Sequence, residues 1–314
     1  MGVHIYLKNS GDTTTIEKSE DGNKLEIKNY PLGVYTTART WQRKSIYDFQ
    51  GHINRLVYGL NNIRYVQNHE EFQNSDKEIV ESGEISKVME PLRDTEKFTV
   101  LIKKLIQMGM VAFYQENNKD ELKMTILVTF DFKFTVPEIY IHICELPIQK
   151  SDTISVGSAL LQRHNAKVKY SQWAKDRASY EEQLVEKNLN EIVMYDSDGN
   201  LYEGLSSNFY IYYNDTIYIA PEDAVLEGTI GKMVFKGCKE MNIPVRREFP
   251  KIKDIKKWAG AFITSTSRLV LPITKFYYNN ELYELPVDAT IVTIKQYVSE
   301  EIKNASIYVF PEMF

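Results

Sequence analysis

A chain of 314 residues with 43% hydrophobic and 26% charged side chains can bury a substantial core, and its length suggests two domains. The formal net charge of -5 excludes a general nucleic-acid binder, which carries a strong basic excess, and no apolar run of about 18 residues is present to span a membrane. Cys144 and Cys238 stand far apart, and His4, His52, His69, His142 and His164 are scattered without ligand spacing, so neither a disulfide framework nor a metal site is expected. The N-terminus lacks the basic flank and long apolar region of a secretion signal, so a reducing, cytoplasmic setting is expected.

Residues 3–40 alternate apolar and polar positions around Gly11-Asp12 and Asp21-Gly22, the pattern of short strands and hairpins. Within them 33–40 read as a strand that puts Tyr35, Thr37 and Arg39 on one face. Asp48 is placed to cap a helix on which Phe49, Ile53, Leu56, Val57 and Leu60 recur at helical spacing. Arg55 lies beside that apolar stripe, and taken alone it reads as a surface arginine whose stem covers the core. Residues 68–94 are charged and weakly periodic, a helix and a connection. Thr95 opens an amphipathic helix through Met110, and strands follow at 123–130 and 138–144. Pro147 and the polar cluster behind it break the strand pattern, so a linker over 147–156 is expected between a first domain, 1–146, and a second, 157–314.

The second half begins with a strand over 154–161. Lys167 and Lys169 share a face if that strand persists to them, and each alone reads as a solvated lysine. After a helix ending near Glu186, the apolar run Glu191 to Tyr195 stops at the Asp198-Gly199 turn. Glu203 then sits in a short strand before a Gly-Leu-Ser-Ser-Asn segment and the aromatic strand 209–213; alone it reads as a solvent-facing hairpin residue. Gly228, Thr229 and Ile230 open a helix through Met241, and a glycine-rich helix entry offers backbone N–H groups at the positive end of the dipole, a seat for phosphate. It is not a Walker loop, because no glycine stands five residues before Gly231 and Met233 follows Lys232. A strand at 244–246, a basic short helix over 253–257 and a strand over 259–265 lead to a hydroxyl cluster, Thr264 to Ser267. A last amphipathic helix begins after Asp288.

A lysine, a carboxylate between strands, a helix-start glycine and a hydroxyl cluster, in this order, resemble the site of the fold-type IV aminotransferases, the group of D-amino acid aminotransferase, branched-chain aminotransferase and aminodeoxychorismate lyase. The resemblance runs from about Gly33 to Ile273. Its most specific stretch is Asp198-Gly-Asn-Leu-Tyr-Glu203-Gly-Leu-Ser-Ser207-Asn208-Phe209. His52-Ile-Asn-Arg55-Leu56 is similar to the family's His-x-x-Arg-Leu, Leu226-Glu-Gly228-Thr229-Ile230 occupies its phosphate turn, and 262–272 resemble its closing strand.

The resemblance implies an α/β (α+β) fold of two domains: a small α/β domain and a larger one whose strands curl into a pseudo-barrel. It further implies pyridoxal 5'-phosphate, a homodimer, and amino acid and 2-oxo acid substrates of the branched-chain or D-amino acid type. In these terms Arg55, the N–H groups of Thr229 and Ile230 beside Gly228, and the Thr266 hydroxyl hold the phosphate. Glu203 pairs with the ring nitrogen, Ser207 and Asn208 line the cofactor, and Tyr35, Thr37 and Arg39 line the substrate pocket. Lys169 would carry the cofactor covalently and move the substrate proton. It precedes Glu203 by 34 residues and has Gln172 third after it, whereas Lys167 matches the branched-chain spacing through Glu181, so the choice stays open.

Departures accompany the likeness. Gly-Thr-Ile replaces the usual Gly-Ile-Thr, and the wording usual before Gly33 is absent. Phe130 stands where D-amino acid aminotransferases carry an arginine after Val-Thr, which makes Arg39 the candidate carboxylate anchor. A lyase of the aminodeoxychorismate type and a non-catalytic relative that keeps the fold are the competing expectations.

Overall fold

The structure is a computed structural model that describes residues 2–20, 22, 26–66, 81–117, 120–163 and 165–310. In chain order the elements begin with β1 (His4–Ser10), β2 (Thr13–Ser19), β3 (Val34–Trp41), β4 (Ser45–Tyr47), α1 (Phe49–Asn62), α2 (Gly83–Arg93), α3 (Thr95–Tyr114), β5 (Leu122–Asp131) and β6 (Val136–Glu145). They continue with β7 (Ile154–Leu160), α4 (Gln172–Asp176), α5 (Ala178–Glu186), β8 (Glu191–Tyr195), β9 (Leu201–Gly204), β10 (Asn208–Tyr213), β11 (Thr216–Ile219) and α6 (Thr229–Glu240). The last are β12 (Val245–Arg247), β13 (Gly260–Ser265), β14 (Leu269–Tyr278), β15 (Glu281–Glu284), α7 (Ala289–Glu301) and β16 (Ser306–Tyr308). The chain divides into two compact units, one of Met1–Pro147, Val168–Lys175 and Ser306–Phe314, the other of Ile148–Lys167 and Asp176–Ala305.

In the first unit a seven-stranded sheet runs β16-β4-β3-β5-β6-β1-β2, every pair antiparallel. Alternation decides its two faces. Val34, Ala38, Met124, Ile126, Val128, Ile141, Ile143, Ile5 and Leu7 point to one side and join Leu56 and Leu60 of α1 and Ile102 and Leu105 of α3 in a buried core. Each valine, leucine, isoleucine or methionine among them contributes about 1.5–3 kcal/mol by leaving water. Asp48 does precede α1, but in left-handed conformation and without a side-chain cap bond, unlike Asp94, which caps α3 by accepting from the Lys97 N–H at 2.9 Å. The α3 helix runs a turn past the expected Met110 because Phe113 continues its buried stripe. Of the expected 68–94 stretch, residues 68–80 lie outside the described residues; Ser82 caps α2 beyond them.

Two later segments return to this unit. The Tyr35 N–H donates to the Lys169 carbonyl at 3.0 Å, and the Ser171 N–H donates to the Gly33 carbonyl at 2.8 Å, so 169–171 pair with the start of β3. Only glycine fits at 33, since a Cβ there would meet the Val128 carbonyl oxygen at 2.0 Å.

The second unit holds a nine-stranded sheet, β12-β11-β10-β13-β14-β7-β8-β9 with β15 on β14, and the pairing of β9 with β10 closes β10-β13-β14-β7-β8-β9 into a ring. β7 runs parallel to both its neighbours, β14 and β8. Val156, Val193, Leu201, Phe209, Ile211, Ile263 and Leu271 fill a core completed by Trp258 and Phe276. Helix and sheet content and the barrel-like closure are those the resemblance implied. One local expectation fails: β7 ends at Leu160 and Asn165–Lys167 form a turn, so the strand never reaches Lys167 or Lys169.

Candidate active site

Glu203 is not a surface hairpin residue. In β9, opposite Asn208 of β10, it is 4% exposed. Its Oε2 accepts the Leu226 N–H at 3.1 Å and the Asn208 side-chain amide at 3.5 Å, while Oε1 faces Nη1 of Arg163 at 3.5 Å. Both partners of that ion pair are 5% exposed, so the guanidinium offsets the cost of burying the carboxylate. Arg163 lies in the loop after β7, and no spacing in the sequence singled it out.

The Asn208 amide also donates to the Leu226 carbonyl at 2.6 Å, fastening Glu203 to the turn that starts α6. Gly228 belongs to that clamp, since a Cβ there would lie 2.0 Å from the Asn208 side-chain oxygen Oδ1. The α6 helix begins at Thr229 with no side-chain cap from Gly228, and both Thr229 and Ile230 are buried. The Thr229 and Thr266 hydroxyls meet at 3.0 Å, joining the helix start to the loop between β13 and β14.

Beneath these residues lies a network the sequence did not show. Glu191, 1% exposed, accepts from the hydroxyls of Ser206 at 2.9 Å and Ser207 at 2.8 Å and from Nη2 of Arg268 at 2.6 Å. Burial alone would raise its pKa, but the Arg268 guanidinium and the two hydroxyls outweigh burial and hold it below the usual carboxylate range. The Ser207 hydroxyl is thus engaged with Glu191. Gly204 makes room for this, because a Cβ there would come within 2.4 Å of the Ser207 hydroxyl oxygen.

In the first unit, the Lys169 ammonium lies over the Tyr35 ring, 4.8 Å from its centroid, and the residue is half-buried. Lys167, in its turn within the second unit, is exposed. Arg55 is half-buried beside Tyr47, whose phenol burial and Asp48 push far up while Arg55 draws it back. Tyr35, Thr37 and Arg39 pair with Leu127, Thr125 and Lys123 and share the sheet face opposite the helices. Burial lowers the Arg39 pKa from its ordinary value, and Glu121 works against that shift. Phe130 points the other way, into the core against Tyr65, so Arg39 and residue 130 occupy opposite faces of the sheet. Arg39 is therefore not a positional substitute for an arginine at 130.

Residues 33–276 match the family model for amino-transferase class IV. The chain belongs to this family. As a class IV aminotransferase it is a pyridoxal 5'-phosphate-dependent enzyme. Among solved structures it is similar to a branched-chain aminotransferase from Thermoproteus uzoniensis determined with norvaline (TM-score 0.72, 14% identity, 98% of this chain and 100% of that one). It is also similar to a fold IV transaminase from Curtobacterium pusillum (0.69, 17%, 96% and 99%) and to a hypothetical aminotransferase from Mycobacterium tuberculosis in its PLP-bound form (0.67, 13%, 95% and 99%). At these identities the likeness is one of fold. No curated protein sequence matches the chain significantly. Among the described residues, no helix is long and apolar enough to cross a membrane.

The residues of this aminotransferase fit the cofactor's chemistry. A phosphate calls for backbone N–H groups and hydroxyls, which the α6 start and the Thr229–Thr266 pair supply. A ring nitrogen calls for a fixed, buried carboxylate, and Glu203 is one.

Proposed function

We propose that Lys169 is the amine that carries the cofactor and moves the substrate proton in a transaminase exchanging an amino group between an amino acid and a 2-oxo acid of the branched-chain or D-amino acid type. The observation that carries this reading is the placement of the Lys169 ammonium, half-buried and 4.8 Å from the Tyr35 ring centroid, while Lys167 stands in solvent. In this reading Arg55, the Thr229 and Ile230 N–H groups and the Thr266 hydroxyl hold the phosphate. Glu203 holds the ring nitrogen, with Asn208 fixing its carboxylate.

Bound pyridoxal phosphate supplies an electron sink for the pair left at the substrate Cα. The chain's residues do the rest. The Lys169 amine would take the proton from the substrate Cα and hold it for return as the amino group is transferred. Glu203 would set its carboxylate against the ring nitrogen, and Arg163 steadies the second carboxylate oxygen. Tyr35, Thr37 and Arg39 line the substrate side of their sheet, with the Arg39 guanidinium taking a substrate carboxylate. The working enzyme is a cytoplasmic homodimer in this reading, so sedimentation should give twice the chain mass.

Lys169→Ala should abolish both the near-visible absorption of the lysine-bound cofactor and amino-group transfer, and Lys167→Ala should keep both. The reverse pattern would move the role to Lys167, and loss in neither variant would remove the transaminase reading. Amino-group exchange assayed beside pyruvate release separates transfer from lyase chemistry.

A further inference from the structure

Sheet register brings together three side chains that the sequence left scattered. His4 of β1 lies directly across from Cys144 of β6, and His142 follows on the same face of β6, two residues before Cys144. Nδ1 of His4 and Nε2 of His142 approach to 2.9 Å, and these two nitrogens and the Cys144 sulfur all lie within 4.8 Å of one another. Among the described residues this is the one such grouping of potential metal ligands. The Tyr6 ring stacks on His142 at 4.6 Å and 2° and fixes its plane. All three ligand residues are half-buried.

We propose that His4, His142 and Cys144 form a site for a thiophilic divalent ion of the zinc type, which ties the edge strand β1 to β6. Two imidazoles and a thiolate are the donors such ions favour, at about 2.0–2.1 Å for nitrogen and about 2.3 Å for sulfur. Tetrahedral bonding at those lengths sets donor atoms about 3.3–3.6 Å apart. From a spread of at most 4.8 Å, closure takes about an ångström of movement of the donor atoms. A fourth position is left for water.

Binding releases the thiol proton to solvent and moves the proton shared by the facing imidazole nitrogens to an outward ring nitrogen, so both inward nitrogens offer lone pairs. Lys123 lies directly across from Cys144 on the other side of β6. Its charge repels a cation, which disfavours hard ions held only by electrostatics and leaves those whose bond to sulfur outweighs the repulsion. The site is built wholly within the first unit. It needs no residue assigned to the cofactor.

The test is zinc titration of the chelator-treated holoenzyme by calorimetry, with metal content measured after gel filtration and zinc-edge X-ray absorption on the loaded wild-type protein. One ion per chain, a shell of two imidazole nitrogens and one sulfur, and a melting temperature raised by about 5 °C at a hundredfold excess over Kd are expected. Cys144→Ser and His142→Gln should each weaken binding by more than about 100-fold, since even outer-shell partners of a metal are worth about 10–100-fold. Cys238→Ser, the control, should not. No uptake, a shell without sulfur, or binding indifferent to Cys144→Ser and His142→Gln would overturn the proposal; the absorption measurement on the wild-type protein decides if a variant fails to fold.

Discussion

The β8–β10 and α6 region of the second unit and the open sheet face of the first unit are built in opposite ways. In the former, Glu203, Ser207 and Asn208 come from one six-residue stretch, and hydrogen bonds fix Ser207 to Glu191 of β8 and Glu203 and Asn208 to Leu226 ahead of α6. In the latter, residues from β1, β3, β5 and β6 meet only because strands pair in one register, and buried Tyr6, Tyr35 and Leu127 stand beside half-buried His4, Arg39 and Cys144. Locally built sites should be rigid and intolerant. Register-built faces should tolerate change and bind through adjustment.

Arg163→Ala gives the sharpest contrast. It leaves the Glu203 carboxylate, 5% exposed, without its guanidinium, and losing one partner of a buried pair costs about 3–5 kcal/mol. On the first unit's face Arg39→Ala removes a half-buried cation that Glu121 offsets only in part, and it should cost under about 1 kcal/mol. Equal losses in denaturant unfolding of the two variants would break the comparison.

Glu191→Gln comes next, at about 2–3 kcal/mol, because Arg268, Ser206 and Ser207 all lose a charged acceptor. Its folded pKa is depressed, so this carboxylate's stabilisation is fully present above its unfolded value near 4.5 and is lost as pH falls through the lower folded value. Unfolding free energy of the wild type should therefore decline below about pH 4.5. In Glu191→Gln that portion of the decline should be missing, and a variant with an unchanged acid limb would show that the network does not govern it.

What was legible in the sequence follows the same division. Strands at 191–195 and 209–213, the helix opening at 229 and the last helix behind Asp288 stand within a residue or so of where periodicity and punctuation put them. The Glu203 motif was legible because hairpin neighbours are also sequence neighbours. Arg163 and Arg268 were not, since each reaches its carboxylate across strands, 40 residues from Glu203 and 77 from Glu191. The histidines misled for the same reason: His4 and His142 are 138 residues apart and 2.9 Å from each other. The persistence of strand to Lys169 failed because a turn at 165–167 intervenes.

Gly228→Ala probes the rigid region without touching charge. The new methyl would meet the Asn208 side-chain oxygen Oδ1 at 2.0 Å, so either the Asn208 side chain turns away or the start of α6 shifts. Overpacking of this kind costs about 1–3 kcal/mol. Because Asn208 also holds Glu203, cofactor affinity should fall along with stability; a variant that lost stability alone would show that Asn208 does not relay between the turn and the carboxylate.

The smallest effect is expected where the open face is stiffest, at Tyr6. Its ring stacks on His142 at 4.6 Å and 2° and also lies 6.3 Å from His4, so one aromatic side chain orients both imidazoles. Tyr6→Leu keeps apolar area but removes the stack and should cost about 0.5–1.5 kcal/mol. Tyr6→Phe keeps the stack and removes only the hydroxyl, so it separates the ring from the polar tip. If the stack is what fixes the imidazoles, Tyr6→Phe should unfold near the wild-type midpoint and leave the ring resonances of His4 and His142 unshifted, while Tyr6→Leu should shift both. Equal shifts in the two variants would assign the ordering to the hydroxyl, and no shift in either would mean that the strand register alone holds the two histidines together.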